Sequence, residues 1–473
     1  MSGDKTPADS IKQPYESFPV ELTPLFRTST PNESVQVFDE HMSFTDAEGK
    51  SISGQGLISL DWLPRPEFRF QIKDPVSHPG EALRRQMEWK PPDKGTLVLA
   101  SSNRTFPAWP VSLHAVESGA AVELSGLILG DDIPDVMPIK EALFHVPNFR
   151  SDLGTAIRYA TGGARLARSE LVAEGWRITL DAIDHGDRGL TEELQSRGGY
   201  GITHVGRINR VDGQNFSGKD CSDLLDELFF FLSFCRGLGT GPILIELTGE
   251  DSKRRLCLRC PILHSWEKPW MWMHDTESGV LAGLFPGYYK RRRDPRWSDV
   301  TRIAIYWYLQ ANMRDSLAEG SIIFAQTALE MLGWTLLVED LGNISREGYD
   351  RLPAGDKMRL LLTACGIPKG IPESLQKLSE AAKSEKWQDG PHAIAETRNG
   401  IIHAKSRKTL DPAKPDIVVD TYRLCLWYLD LVLLWLFGYE GKYFNRTGAS
   451  KWLRENTVPV PWAAAPPKAD SHP

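Results

Sequence analysis

The sequence predicts an α+β multidomain protein: a β-rich N-terminal half of sandwich or barrel type, followed by a C-terminal all-α helical bundle. Three observations carry this. From residue 15 to about 210, short segments alternate apolar and polar positions between Gly- and Pro-rich turns. From Ser298 to about 438, apolar residues recur at three- and four-residue spacing, the helical period. The length of 473 residues leaves room for about two to four domains, and 41% hydrophobic with 25% charged residues excludes wholesale disorder.

Residues 1–14 are polar, lack the apolar core of a signal peptide and read as a disordered N-terminus. The β-rich domain, 15–210, holds the strand-like segments GQGLISLDWLP, EFRFQIK, GTLVLASS and AAVELSGLILG, punctuated by PRPE, KPPDKG and GDDIPD. Within it, Arg165–Ala173 is expected to be a helix. Residues 211–297 read as a mixed connecting region or a second part of the β-rich half. Here DCSDLLDELFFFLSFCRGLG carries helix start and stop signals, and GPILIELTG and RRLCLRCPIL read as strands. The helical domain, 298–445, holds a first helix with Ile303, Ile305, Trp307 and Leu309. It continues through SIIFAQTALEMLGWTLLVED, GDKMRLLLTAC, IPESLQKLSEAAKS and PHAIAETRNGIIHAK, with Pro391 in a first turn. AKPDIVVDTYRLCLWYLDLVLLWLFGY closes it, and 446–473 reads as a C-terminal tail.

The net charge of -7 excludes a protein that coats nucleic acid through bulk charge, so any such site is a local basic patch. No run reaches about 18 uninterrupted apolar residues. Leu424 to Phe437 comes closest and contains Asp430, so no membrane span is expected. Six cysteines without an export signal fit a reducing cytoplasm. Cys257 and Cys260 have ligand spacing but no second pair, and zinc needs four ligands, so no metal and no cofactor are expected. GLGTGP lacks the Lys-Ser/Thr of a phosphate loop.

Trp266, Trp270 and Trp272 could stack on bases, with Lys268 and the run Lys290–Arg293 on phosphates. Packing of the tryptophans and a solvated basic loop is the favoured reading. The segment Arg398-Asn-Gly-Ile-Ile-His403 is more specific. It puts a permanent cation, an amide and a titratable imidazole within one and a half helical turns, with Asn399 and His403 on one face. Glu396 falls near that face as a supporting carboxylate. Arginine clamps a phosphate and stabilises developing charge, and an imidazole moves protons. Together they suit metal-free RNA cleavage with the 2′-hydroxyl as internal nucleophile. Lys405, Arg407 and Lys408 follow and could guide the phosphate backbone. Similar Arg…His spacings at Arg259…His264 and Arg197…His204 lack a regular helical context.

Residues of about 298–445 resemble a HEPN domain, and more loosely the ApeA-type HEPN proteins of bacterial phage defence. TRNGIIHA, AQTALEML, GDKMRLLLTACGIPKGIP and the apolar helix before GYEGKYFNR carry the resemblance. It implies a bundle that dimerises through the motif-bearing helices, so that two Arg/Asn/His sets face one cleft. It further implies metal-independent endoribonuclease activity. Arg398 would stabilise the phosphate, His403 would transfer the proton, and Asn399 would orient the pair or contact RNA. The expectation is therefore a cytoplasmic homodimeric ribonuclease acting on RNA. Its β-rich half would respond to a trigger ligand or phage component, in antiviral defence or as a toxin. The alternative is a non-catalytic HEPN dimerisation protein with a ligand-binding β-rich domain.

Overall fold

The computed structural model describes residues 15–463, apart from 93, 117–118, 132, 136–137, 151–152, 161, 184–188, 251, 268–270, 274–276, 404–414 and 449–452. Strands dominate as far as Cys257, and helices run from Val280 to Leu436, so the α+β layout read from the two periodicities holds.

The first six strands are β1 (Val35–Asp46), β2 (Ser51–Asp61), β3 (Glu67–Pro75), β4 (Gly95–Leu99), β5 (Thr105–Ala115) and β6 (Ala121–Ile128), with helix α1 (Pro79–Glu88) between β3 and β4. They close into an antiparallel barrel in the order β1-β2-β3-β6-β5-β4. Strict alternation fills it: along β5, Phe106, Ala108 and Pro110 are buried while Thr105, Pro107, Trp109 and Val111 are exposed. A bulge between Pro110 and Ser112 shifts the phase, so that Leu113 points inward.

Seven further strands form an open antiparallel sheet: β7 (Ile139–Pro147), β8 (Thr155–Arg158), β9 (Ala164–Ala173), β10 (Trp176–Ala182), β11 (Ile202–Arg210), β12 (Ile243–Gly249) and β13 (Arg254–Cys257). Their order is β13-β12-β7-β11-β10-β9-β8. Helices α2 (Leu190–Arg197) and α3 (Gly218–Arg236) interrupt the run. A capping box between Ser217 and Asp220 starts α3, and Gly237 in the left-handed region ends it.

This sheet is the middle layer of the molecule. Ala142, Phe144, Ile178 and Leu180 share one hydrophobic core with the helices, whereas Ile202, Val205 and Ile243 pack with the barrel interior. Gly206 sits where a Cβ would collide with the Phe144 ring. Polar ties join the layers. Asp131 accepts from Arg104 at 2.8 Å and from the Leu258 amide at 2.7 Å. The segment before the barrel is strapped over the sheet, with Leu22 N–H donating to Asp181 at 2.8 Å. Leu25 and Phe26 N–H groups donate to His145 Nε2 at 3.0 and 3.1 Å.

The helical array comprises α4 (Val280–Arg293), α5 (Ser298–Asn312), α6 (Leu317–Trp334), α7 (Arg346–Asp350), α8 (Ala354–Ala364), α9 (Gln376–Glu385), α10 (Gly390–Ile402) and α11 (Pro415–Leu436). A π-helical turn, Thr335–Asp340, extends α6. The stretch Arg314–Asp340 is long and apolar enough to cross a membrane by length and composition, yet 61% of its most apolar 18-residue window is buried.

Three expectations need correction. Arg165–Ala173 is strand β9, not a helix. Its Ala, Leu, Arg and Glu content favours helix, but pairing with β10 and the burial of Ala167, Ser169, Leu171 and Ala173 on one face decide the matter. Within the region read as either connecting or a second part of the β-rich half, β12 and β13 extend the same sheet. The helical array begins at Val280 rather than Ser298; Pro286 and four consecutive basic residues obscure α4 in the sequence. The chain beyond 446 is no simple tail. Strand β14 (Lys442–Phe444) pairs with β15 (Thr457–Pro459), and Arg446 is fully enclosed. Residues 1–14 and 464–473 lie outside the described residues.

Candidate functional site

Helix α10 carries the Arg/Asn/His motif, and its start is firmly fixed. Asp389 caps it by accepting from the His392 amide at 3.0 Å, with Pro391 in the first turn. Arg359 of α8 grips the same carboxylate at 2.7 and 3.0 Å, and this holds the Asp389 carboxyl below its usual range despite partial burial. Gly390 admits the Tyr428 hydroxyl where a Cβ would collide with it. One face, with Ala393, Ile394, Thr397 and Gly400, is buried. Thr397 Oγ1 bonds the Ala393 carbonyl at 2.8 Å and lies 3.3 Å from Thr421 Oγ1 of α11.

The motif occupies the other face at the far end of α10. Glu396, Arg398 and Asn399 are half-buried, and His403 is exposed. Among the described residues none of these four side chains makes a hydrogen bond or an ion pair. The helix stops at Ile402, and His403 is the C-cap in extended conformation (φ -109°, ψ 115°). Its amide still bonds the Asn399 carbonyl at 2.9 Å. The imidazole therefore leaves from the end of the helix rather than from a regular face shared with Asn399. Gly400 and the β-branched pair Ile401 and Ile402 weaken helix propensity there. Lys405, Arg407 and Lys408, expected to guide RNA, lie outside the described residues.

The other two Arg…His spacings are spent on structure. His264 Nδ1 accepts the Gly239 amide at 2.7 Å; burial and the neighbouring Arg236 hold its imidazole below its usual range. His204 is enclosed, bonded to Thr203 at 3.0 Å and set edge-on to Phe149. Arg259 pairs with Asp226. Trp266 and Trp272 are packed in cores; Lys268 and Trp270 lie outside the described residues. The basic run Lys290–Arg293 forms the last turn of α4, where Arg292 is buried against Glu227 at 2.8 and 2.9 Å and Arg291 lies 3.7 Å from Asp340. Cys257 and Cys260 are free thiols that burial pushes up to about 11 and about 12. Among the described residues no group of three or more His, Cys, Asp or Glu side chains is placed to hold a metal ion.

Two features escaped sequence reasoning. Asp430, noted only as a charge in an apolar helix, accepts a two-pronged contact from Arg446, which also bonds Asn312 and Tyr308 at 3.0 Å. A charge in so apolar a stretch was itself the signal that a buried partner must exist. The second is a cleft of about 860 Å³ lined by residues between 174 and 302; segments so far apart carry no local sequence signal.

The fold thus defines a layered α+β protein whose central sheet carries a barrel on one side and a helical array on the other. The chain belongs to the YopA family. Residues 135–267 match the YopA central domain and residues 294–458 the YopA C-terminal domain. It is 32% identical over 308 residues to the SPbeta prophage-derived uncharacterized protein YopA of Bacillus subtilis (strain 168), covering 64% of this chain and 68% of that one. No solved structure matches. The two matched regions contain the sheet and most of the array, while the barrel lies outside both.

Proposed function

We propose that the protein is a metal-independent endoribonuclease of HEPN type that works in the cytoplasm as a homodimer. The observation that carries this is selective exposure. Of three Arg…His spacings in the chain, only Arg398…His403 leaves the imidazole exposed and both side chains uncommitted among the described residues. The RNA 2′-oxygen attacks the adjacent phosphorus and the bond to the 5′-oxygen breaks. A 2′,3′-cyclic phosphate and a 5′-hydroxyl result. His403 takes the 2′-hydroxyl proton in one copy and returns a proton to the leaving oxygen from the other. Arg398 neutralises the charge that develops on the phosphate, and Asn399 orients the pair.

The relative's name describes a prophage-derived protein. An RNA-cleaving product of such a gene suits antiviral defence or a toxin, held in check by the β-rich half until a trigger ligand or phage component arrives. A rival, non-catalytic dimerisation role draws on Ile402, which is 41% exposed beside His403, since exposed apolar side chains at a helix end suit an interface.

The test is incubation of the purified protein with total RNA in EDTA. Cleavage with cyclic phosphate ends by the wild type, and none by His403→Ala, is expected. Cleavage that requires an added divalent ion would overturn the mechanism.

A further inference from the structure

The cleft of about 860 Å³ opens where the ends of β10 and β11 face α3 and the junction of α4 with α5. Its floor is closed by the Arg292–Glu227 pair, to which Tyr288 also donates at 2.9 Å. Its walls carry charges of both signs, but they differ in how far they are committed. The α3 carboxylates are engaged: Asp220 by the Ser217 cap at 2.7 Å, Asp223 by Lys219 at 2.6 Å and Asp226 by Arg259. Arg292 apart, the arginines are paired more loosely. Arg210 lies over Trp176, 4.7 Å from its ring centre, with the Asp212 carboxylate at 3.9 Å. Arg293 lies over Tyr289 with Glu174 at 3.9 Å. Arg302 pairs with Asp299, on its own turn, at 3.4 Å.

Arg210 and Arg293 converge on one turn. The first packs over Gly175, and the second faces Glu174. Guanidinium groups stacked on aromatic rings keep their N–H edges free and pre-oriented, the form that grips phosphate oxygens in pairs. The volume falls within the roughly 300–1,000 Å³ of small-molecule sites.

We propose that this cleft binds a phosphorylated small molecule of nucleotide size, with Arg210 and Arg293 on the phosphates and Arg302 at the rim. A ligand there would bridge the sheet to the first two helices of the array, the position from which occupancy can reach the helical half.

Titration calorimetry of the full-length protein with ATP, pyrophosphate and adenosine tests this. ATP is expected to bind, pyrophosphate to compete with it, and adenosine not to. Each charge-assisted contact contributes about 1.5–3 kcal/mol, so Arg210→Gln/Arg293→Gln should weaken ATP by at least about tenfold. Arg302→Gln, on the exposed wall, gives a second reading should the double variant fail to fold, and it should weaken ATP in the same direction. His403→Ala should bind ATP as the wild type does, which separates this site from the nuclease reading. Binding unchanged in the arginine variants, adenosine competing as well as pyrophosphate, or no saturation by either phosphate compound would overturn the proposal.

Discussion

Arg398, Asn399 and His403 crowd the last turn of a helix whose start is fixed by a charged cap and whose buried face is small and tightly packed. The proposed chemistry and the packing thus fall on different faces, so substitutions on the open face should leave the fold intact. Losing the phosphate-stabilising donor costs about 10²–10³-fold, so Arg398→Ala should abolish visible RNA cleavage with an unchanged circular dichroism spectrum. Arg398→Lys should not rescue, because an ammonium lacks the planar fork, and Asn399→Ala should be milder. His145 offers a different test. Burial lowers its imidazole to about 4 while its Nε2 accepts two backbone amides. The unfolded chain takes up this proton near pH 6.5, the folded one only near 4. Stability is thus complete above pH 6.5 and falls as the pH drops toward 4, by about 3 kcal/mol in all. Urea midpoints of His145→Gln should show a shallower pH slope than the wild type across that window; equal slopes would contradict the assignment. The motif itself was legible in the sequence as spacing plus helical context. The helix end that frees His403 was not, because helix termini depend on packing that single-residue propensities do not encode.

At the scale of elements, periodicity worked where one face meets the core and failed where pairing overrides propensity. The alternation in β3 was readable because that strand buries one side, and α11 was readable as the most apolar helix because Leu424 to Leu434 are buried all round. Strand β9 was not, since residues of high helix propensity are held between cross-strand partners on both sides, β8 and β10. The closing segment was misread for a related reason: Arg446 looks like a solvated residue until Asp430 is placed opposite it. That pair pins the β14–β15 ribbon to α5 and α11. Removing one partner strands a buried charge, so Asp430→Ala should destabilise the protein by about 3–5 kcal/mol. A shift of the denaturation midpoint smaller than that of an ordinary surface substitution would show that the pair carries no such role.

At the scale of the whole molecule, the central sheet and the helices fold around one core, whereas the barrel keeps its own and adds the sheet's other face. The division that the two halves suggest in sequence is therefore not the division of cores: the sheet belongs energetically with the helices. The two family-matched regions hold most of that shared core, α4 excepted. One chain supplies one Arg/His set, so activity should require two copies. Light scattering should find a dimer, and a fully active monomer would contradict the composite cleft. The most direct measurement of the central claim is single-turnover cleavage of RNA in EDTA by wild type and His403→Ala side by side. Loss of a proton-transfer group should slow the step about 10²–10⁴-fold in a variant that stays folded and dimeric. His403→Ala cleaving RNA at the wild-type rate would show that the site lies elsewhere.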